Sequence, residues 1–326
     1  MKVLILTLGP PALASSRVRG WNFGAEMRRH GVEAYVFQGP TMEGVREIFR
    51  RRWDLVLVQK WAAPIDLLRA VRLQTKVLML DIDDAVLMDT KYHPAGDAKL
   101  LARNTRRLRK ALQLNLYDCI SVSTPRLRED VQSYCDVPTI TFCGPRPRLE
   151  EDIYRAESRR DLVWLGSPAT QQYLLQILPD IDHALLRRPL VAVGVSGLAA
   201  NANWVHEKSW SIENQKQALA HSSIGLFPQP KGQWEDRKSG YKIFEYICAG
   251  VIPVAVNGPQ AWTILGEEYP YLVSDQESWT ETIARALNAP NHLEIIKGLV
   301  DKTEAYSYSA VIGRWLGFSS EVMTAV

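Results

Sequence analysis

The chain has 326 residues, of which 46% are hydrophobic and 23% charged, and it carries a formal net charge of +3. This length exceeds that of a typical single core and fits two domains, and the composition is that of an ordinary soluble globular enzyme. The modest charge argues against nucleic acid as a partner, because nucleic-acid-binding domains are usually strongly basic.

Cysteine usage and the N-terminal segment indicate the compartment. The four cysteines show no metal-ligand spacing, so we expect free thiols in a reducing cytoplasm. The apolar run Val3–Leu8 resembles part of a signal peptide, but it is short and Gly9-Pro10-Pro11 interrupts it, so we interpret it as a buried first strand. No segment approaches the roughly 20 apolar residues of a membrane span.

Strands and helices alternate through the first half of the chain. This alternation predicts parallel strands joined by crossover helices, and therefore a doubly wound α/β domain over residues 1–150. The predicted strands are Val3–Leu8, Val32–Phe37, Leu55–Val58, Val77–Leu80 and Cys119–Ser123, and the predicted helices are Trp21–His30, Met42–Arg51, Ile65–Leu73, Ala98–Asn115 and Pro125–Tyr134.

Polar residues follow two of these strands. Ser16, Arg17 and Arg19 come after the first strand, where the arginines can contact an anionic ligand or form an exposed basic pair. Asp83 and Asp84 follow the strand Val77–Leu80, at the end where parallel sheets bind ligands. Carboxylates there can bind a divalent metal, face an acceptor, or only cap the next turn.

Two further features of the first domain have competing interpretations. His93 lies in a loop that can reach a cleft, where it can serve as a general base or be merely exposed. The helix Ala98–Asn115 is apolar on one side and basic on the other, which fits either a solvated face or docking on anionic lipid at the inner face of a membrane. Its basic side carries Arg103, Arg106, Arg107 and Lys110.

The second half restarts the alternation after a mixed-charge linker at residues 149–160, and it predicts a second doubly wound domain over residues 151–305. Gly166, Ser167 and Thr170 follow its first strand, where hydroxyls and backbone N–H groups can face a phosphate or a sugar. The predicted strands are Leu162–Leu165, Leu190–Val195, Ile224–Phe227 and Val251–Val256, and the predicted helices are Ala169–Leu178, Glu213–His221, Tyr241–Ala249, Ser278–Leu287 and Ala310–Met323.

The most specific segment runs from Lys238 to Val256 and reads as a polar loop, a short helix and a buried strand. A helix N-terminus presents free N–H groups and a partial positive charge, which together suit a diphosphate. Lys238 and Lys242 add full positive charges, and Glu245 lies one turn further along, where it can accept hydrogen bonds from sugar hydroxyls.

This segment resembles the donor-nucleotide motif of GT-B glycosyltransferases, particularly retaining glycosyltransferase family 4, in which a Lys-x-x-Glu-Tyr helix precedes Ala-Gly-x-Pro-Val. The resemblance implies that Glu245 binds the nucleotide ribose and that the amides from Ser239 through Gly240 to Tyr241 bind the diphosphate. It also implies two Rossmann-like domains facing across a cleft, with the last helix, residues 306–326, packed back on the acceptor-side first domain.

The implied reaction is transfer of a sugar from a nucleotide-diphosphate donor to a hydroxyl of a glycan, a lipid-linked or a small-molecule acceptor. The resemblance implies retention of configuration and no metal or other cofactor. On the acceptor side it implies Ser16, Arg17, Arg19 and Asp83, and it implies an Asp-Ile-Asp-Asp segment without a metal role. We assign the catalytic steps to Lys238, Lys242, Arg237, Asp84 and His93.

Two departures from the family pattern affect the donor site. Arg237 stands where family 4 has an acid that contacts the donor sugar, so Glu235 or Asp236 would have to replace it. No Arg–Lys pair accompanies the loop at 166–170, so neutralisation of the diphosphate must come from the cations at 237–242. The alternatives are a nucleotide-sugar epimerase, a degenerate GT-B scaffold that only binds a nucleotide or a partner, and a metal-dependent GT-A enzyme.

Overall fold

A computed structural model describes residues 1–89, 97–150, 153, 159–198 and 202–325. The chain divides into two compact units. The first unit comprises Met1–Pro145, Asp236–Ser239 and Ala305–Val326, and the second comprises Arg146–Glu235 and Gly240–Glu304. Each unit contains one six-stranded parallel sheet with helices on its faces. The structure therefore confirms the predicted α/β class, because alternating strands and helices give parallel sheets.

The first sheet has the strand order β2-β1-β3-β4-β5-β6. The order reverses between β1 and β3, so the connections that follow these two strands run in opposite directions. Its strands are β1 (Lys2–Thr7), β2 (Glu33–Gln38), β3 (Trp53–Gln59), β4 (Thr75–Ile82), β5 (Cys119–Val122) and β6 (Thr139–Thr141).

The second sheet has the strand order β12-β11-β10-β7-β8-β9, the arrangement of dinucleotide-binding sheets, with its reversal between β7 and β10. Its strands are β7 (Asp161–Leu165), β8 (Leu190–Val193), β9 (Val205–Lys208), β10 (Ser222–Phe227), β11 (Ile252–Val256) and β12 (Leu272–Val273). The sequence pattern did not predict β6, β9 and β12. All three lie at sheet edges and are short, so they lack the long apolar run that marks a central strand.

The α-helices flank both sheets. In the first unit they are Ala14–Ser16, Phe23–Arg29, Met42–Arg50, Ile65–Arg72, Ala98–Gln113, Pro125–Gln132 and Tyr308–Ala325. In the second unit they are Gln171–Ile177, His183–Leu186, Ile212–His221, Tyr241–Cys248, Pro259–Leu265, Trp279–Leu287 and His292–Lys302. Among the described residues, none of these helices combines the length and the apolar composition needed to cross a bilayer.

The helical segment after β1 begins earlier than predicted and contains a π-helical stretch, Arg17–Asn22. A Cβ atom on Gly20 would lie 2.2 Å from the Cγ2 atom of Thr7 at the end of β1. The glycine therefore lets this stretch pack directly on β1. Ser16 then contacts Gln59 at the end of β3, and Arg19 contacts Asp81 near the end of β4.

Apolar clusters cover both faces of the first sheet, because its central strands are apolar on both sides. Leu4 and Trp53 belong to one cluster, and Ile5 and Met79 belong to the other. Trp315 of the helix Tyr308–Ala325 joins the second cluster and meets the Phe23 ring edge to face at 5.7 Å. The C-terminal helix is thus part of the core of the first unit. All four cysteines are free thiols.

Candidate functional site

The carboxyl ends of β7 and β10 define the candidate donor site within the second unit. The strand order reverses between these neighbours. Open α/β sheets bind their ligands beyond the carboxyl ends of the strands at such a reversal. The predicted donor loop 166–170 follows β7 directly, and the helix Tyr241–Cys248 is the next α-helix after β10. Two segments that are far apart in the sequence thus belong to one end of one sheet.

The loop after β7 is a tight, hydrogen-bonded turn. The backbone N–H of Ser167 donates to the hydroxyl of Thr170 at 3.1 Å, and the N–H of Thr170 donates back to the Ser167 carbonyl at 2.9 Å. A Cβ atom on Gly166 would lie 1.8 Å from the ring of Trp164, so only glycine fits there. Ser167 itself is exposed and available to a ligand.

The helix Tyr241–Cys248 starts at Gly240, which has no side chain to cap its first N–H groups. A Cβ atom on Gly240 would lie 2.7 Å from the carbonyl oxygen of Gln260, so the helix end is closely packed. The positive end of the helix dipole therefore lies at Gly240, the kind of position that suits a phosphate group.

Tyr246 fixes this helix against the sheet. Its hydroxyl accepts a hydrogen bond from the N–H of Leu165 at 3.2 Å and donates to the carbonyl of Leu226 at 2.9 Å. Leu165 is the last residue of β7 and Leu226 the penultimate residue of β10, so one buried side chain spans the point where the strand order reverses. Burial raises the pKa of Tyr246, which therefore stays a hydrogen-bonding phenol. In the sequence, Tyr246 stands out only as the last residue of the Lys-x-x-Glu-Tyr segment, and its role at the two strand ends is visible only in the structure.

Lys242 and Glu245 are half-buried on the same helix. The ammonium of Lys242 lies 5.4 Å from the ring centroid of Trp164, a cation–π distance. A carboxylate oxygen of Glu245 accepts from the amide of Gln215 at 3.0 Å, and Gln215 in turn accepts from the indole N–H of Trp210 at 3.1 Å. The predicted catalytic Lys242 thus contacts an aromatic ring, and the predicted donor-binding Glu245 is held by Gln215, which Trp210 orients.

Glu235 is also held in the second unit. The hydroxyl of Tyr173 donates to its carboxylate at 2.6 Å, and the amides of Gln229 and Gln260 donate to its carbonyl oxygen at 3.1 Å and 2.9 Å. Its neighbour Trp234 is buried, with 7% of its surface exposed, so the indole covers the core instead of presenting a free stacking face.

Arg237 belongs to the first unit and is buried. Its guanidinium forms a two-pronged ion pair with Asp130, through Nε and, at 2.7 Å, through Nη2. The positive charge of Arg237, which was predicted to neutralise a diphosphate, is therefore already neutralised by the carboxylate of Asp130. The geometry gives Arg237 an anchoring position for residues 236–239, because a fork-to-fork pair holds both partners in one orientation.

Arg19 and Asp81 form a second buried ion pair in the first unit. Arg19 Nε donates to Asp81 Oδ2 at 2.8 Å and Nη2 to Oδ1 at 2.5 Å, and both side chains are 3% exposed. Burial opposes the charge on Arg19, but Asp81 outweighs burial and raises the pKa of the guanidinium. Ser121 also donates to Asp81. Arg19 is thus enclosed in the protein and does not present its charge to a ligand.

Asp83 and Asp84 surround a lysine that the sequence analysis did not single out. The ammonium of Lys60 lies 2.8 Å from Asp84 Oδ2 and 3.5 Å from Asp83 Oδ1. Burial opposes ionisation of Asp84, but Lys60 and then Lys238 outweigh it and lower the pKa of Asp84 to about 2. Lys60 has a left-handed backbone, with φ of 55°, which turns the chain sharply at the end of β3.

Ser16 and Arg17 serve the loop that follows β1. The hydroxyl of Ser16 donates to the side-chain oxygen of Gln59 at 3.0 Å and accepts from the N–H of Gly9 at 3.1 Å. Arg17 donates to the carbonyls of Pro11 and Ala12 at 3.3 Å and 3.4 Å. The sequence-based prediction did not include Gln59. A Gln-Lys pair directly after an apolar run is nevertheless a signal that marks the end of a buried strand.

His93 lies outside the described residues. Among the residues that the structure does describe, no group of three or more His, Cys, Asp or Glu side chains could hold a metal ion. Asp81, the first acid of the segment 81–84, is already paired with the guanidinium of Arg19.

Comparison of the fold with solved structures finds extensive similarity at low sequence identity. AviGT4, a glycosyltransferase involved in avilamycin A biosynthesis, aligns over 100% of this chain and 99% of its own with a TM-score of 0.62 and 13% identity. The GtfA/B complex aligns over 86% of this chain and 59% of its own with a TM-score of 0.58 and 13% identity. A TarM mutant from S. aureus, in complex with Fondaparinux, alpha-GlcNAc-glycerol and UDP, covers 81% of this chain and 55% of its own, with a TM-score of 0.58 and 11% identity.

The fold is that of the GT-B glycosyltransferases. No protein-family model matches the sequence, and no curated protein matches it significantly. At these identities the comparisons establish the GT-B fold alone, so membership of retaining family 4 stays a prediction. The chain spans little more than half of the GtfA/B and TarM chains that it matches.

Proposed function

We propose that this GT-B protein transfers a sugar from a nucleotide-diphosphate donor to an acceptor hydroxyl. The observation that carries the proposal is that Tyr246 packs the helix Tyr241–Cys248 on the reversal point of the second sheet. On the same helix, Lys242 lies 5.4 Å from the ring centroid of Trp164, two residues before the loop 166–170. Open α/β sheets bind ligands at such points, and a helix N-terminus is suited to phosphate. The UDP in the TarM complex makes UDP the first donor nucleotide to test.

The protein's contribution to the reaction is stabilisation of the departing diphosphate. The N–H groups at Gly240 and Tyr241 and the ammonium of Lys242 would face the developing negative charge. Lys238, three residues before the first residue of the helix, would add a second cation. Groups held in place before the reaction stabilise such charge without further reorganisation. Ser167 and Thr170 would bind the phosphates or the sugar, and Glu245 the ribose.

Asp84 has a role of its own in this proposal. A carboxylate whose pKa is about 2 is a weak base, so it is poorly suited to take a proton from an acceptor hydroxyl. We assign Asp84 instead to orienting Lys60 and Lys238, whose charges lower its pKa. The acceptor proton would then pass to the leaving phosphate, as the resemblance to retaining enzymes implies.

Retention of configuration, independence of metal and a cytoplasmic location are further parts of the proposal. The pairing of Asp81 with Arg19 supports metal independence, since a GT-A Asp-x-Asp site would need that carboxylate as a ligand. The acceptor is a glycan, a lipid-linked or a small molecule that offers a free hydroxyl.

Nucleotide binding provides the first test. Thermal unfolding is followed with UDP, GDP, ADP and TDP, since a ligand at 100 times its Kd stabilises a protein by about 2.7 kcal/mol. We expect one nucleotide to raise Tm, and Lys242→Ala to weaken its binding by on the order of tenfold, because a hydrogen bond to a charged group is lost. The matched control is Lys216→Ala on the helix Ile212–His221, which should leave binding unchanged. No shift with any nucleotide would contradict the proposal.

Turnover separates the proposal from its alternatives. With the matching sugar nucleotide and an acceptor panel, we expect transfer, and Lys238→Ala should slow it by on the order of 100-fold with the fold intact. Conversion of the donor in the absence of acceptor would indicate an epimerase. Nucleotide binding without turnover on any donor would indicate a degenerate scaffold.

A further inference from the structure

The helix Ala98–Gln113 carries an uninterrupted row of positive charge. It contains six Lys or Arg residues and no acid in 16 positions. Four of these cations, Lys99, Arg103, Arg106 and Lys110, follow one another at spacings of four, three and four residues, so they fall on one line of the helix. All four are exposed. We call this row the basic stripe.

The basic stripe lacks the acids that accompany basic residues on other helices of the first unit. Among the described residues, no ion pair joins any of its four members to an acid. Elsewhere an exposed arginine pairs with a carboxylate one turn away on its own helix, as in Arg29–Glu26, Arg50–Glu47, Arg69–Asp66 and Arg126–Glu129. Like charges one turn apart destabilise a helix, so the stripe carries a small repulsion that an external anion would relieve.

The rest of the helix fixes the direction of the stripe. Leu108 and Leu112, on the opposite side, are buried in the core of the first unit. The remaining two cations are used within the protein: Arg107 donates to the carbonyl of Ala62 at 3.0 Å, and Arg109 pairs with Asp89 at 2.8 Å. The stripe therefore faces outward along a helix about 24 Å long, and its cations can meet one surface together.

Two exposed leucines beside the basic stripe favour an anionic lipid bilayer over a nucleic acid as its binding surface. Leu100 and Leu114 lie at the two ends of the stripe and are 43% and 37% exposed. Their helical positions place both on one flank of the row. Apolar side chains gain by entering the boundary between headgroups and acyl chains of a bilayer, whereas the backbone of a nucleic acid offers them only phosphates.

We propose that the basic stripe, with Leu100 and Leu114, docks the protein peripherally on a membrane that contains anionic lipid. Asp97, which precedes the helix, caps it by accepting from the N–H groups of Lys99 and Leu100. The proposal does not depend on sugar transfer, because it rests on charge, exposure and apolar contact alone.

Vesicle binding tests the proposal. The intact protein is sedimented with phosphatidylcholine vesicles and with vesicles that also contain phosphatidylglycerol, at low and at physiological ionic strength. Each cation near an anionic surface contributes roughly a fivefold factor in partitioning. We expect binding only to the anionic vesicles, weakening with salt, and a loss of at least about 50-fold when Lys99, Arg103, Arg106 and Lys110 are all changed to Gln.

A variant of equal charge change serves as the control. Arg29, Arg50, Arg69 and Arg126, the paired cations, are all changed to Gln, and we expect vesicle binding within about threefold of the parent. Equal losses in the two variants would show that only net charge matters and would overturn the proposal. Leu100→Ser with Leu114→Ser should weaken vesicle binding several-fold. Binding of duplex DNA through the stripe, without vesicle binding, would also overturn it.

Discussion

Arg19 illustrates how a basic residue that looks like a ligand contact becomes a structural element. Its guanidinium is almost fully buried against Asp81, and its Cζ atom lies 4.6 Å from the ring centroid of Phe142. The pair joins the π-helical stretch Arg17–Asn22 to the end of β4. Arg19 therefore acts, in this structure, by positioning the loop after β1.

Removing Arg19 tests this interpretation. Arg19→Met leaves the carboxylate of Asp81 buried without its cation, which we expect to lower the free energy of unfolding by about 3–5 kcal/mol. Urea unfolding measures the loss. Arg69→Met is the control, because its ion pair with Asp66 is exposed and should contribute less than about 1 kcal/mol. Similar losses for the two variants would show that the buried pair has no special importance.

Asp84 should make stability depend on pH at the acidic end. Its pKa is lowered from 3.8 to about 2 in the folded protein, chiefly because Lys60 and Lys238 outweigh burial. A lowered pKa stabilises the folded state above the unfolded-state value, and this stabilisation is lost as the pH falls through about 2. We expect a contribution of about 1–2 kcal/mol near neutral pH.

The comparison of Asp84→Asn with the parent isolates this contribution. The difference in unfolding free energy between them should be largest at neutral pH and shrink as the pH falls toward about 2. Asp66→Asn is the reference, because the Asp66 side chain is 94% exposed. A parent-minus-Asp84→Asn difference that stayed constant with pH would contradict the assigned pKa.

At the scale of elements, the helix Tyr241–Cys248 depends on close contacts at both ends. Tyr246 ties its last turns to β7 and β10, and Gly240 lets its first turn approach the carbonyl of Gln260. The apolar residues between these contacts only bury the helix. Its exact placement over the reversal point thus comes from two residues that hydrophobic periodicity does not distinguish.

Gly240→Ala tests the close approach at the helix start. The added methyl group would meet the backbone oxygen of Gln260 at 2.7 Å, and backbone cannot move aside as cheaply as a side chain. We expect a loss of about 1–3 kcal/mol in unfolding free energy and weaker nucleotide binding. Gly298→Ala is the matched control within the helix His292–Lys302, where a Cβ meets nothing within 4 Å, so it should stabilise by up to about 1 kcal/mol. Two variants with the same sign would refute this explanation.

At the scale of the whole molecule, both units repeat one plan with different strand orders. Each sheet reverses direction once, between β1 and β3 in the first and between β7 and β10 in the second. The second order is the one found in dinucleotide-binding sheets, which supports a nucleotide on the second unit. In the first unit, Asp83 and Asp84 follow β4 and pair with Lys60, which follows β3.

The sequence by itself determined the fold class, the central strands and the segment Lys238–Val256, because apolar runs and the 3.6-residue period are local properties of the chain. Only the tertiary structure decided which charges remain available to a ligand. Arg19 and Arg237 look like ligand contacts in the sequence, yet Asp81 and Asp130, distant in the chain, neutralise them. Lys60, Gln59 and Tyr246 look unremarkable until strand pairing brings their partners close. Pairing between distant side chains is set by the three-dimensional arrangement of the strands, which no local pattern encodes.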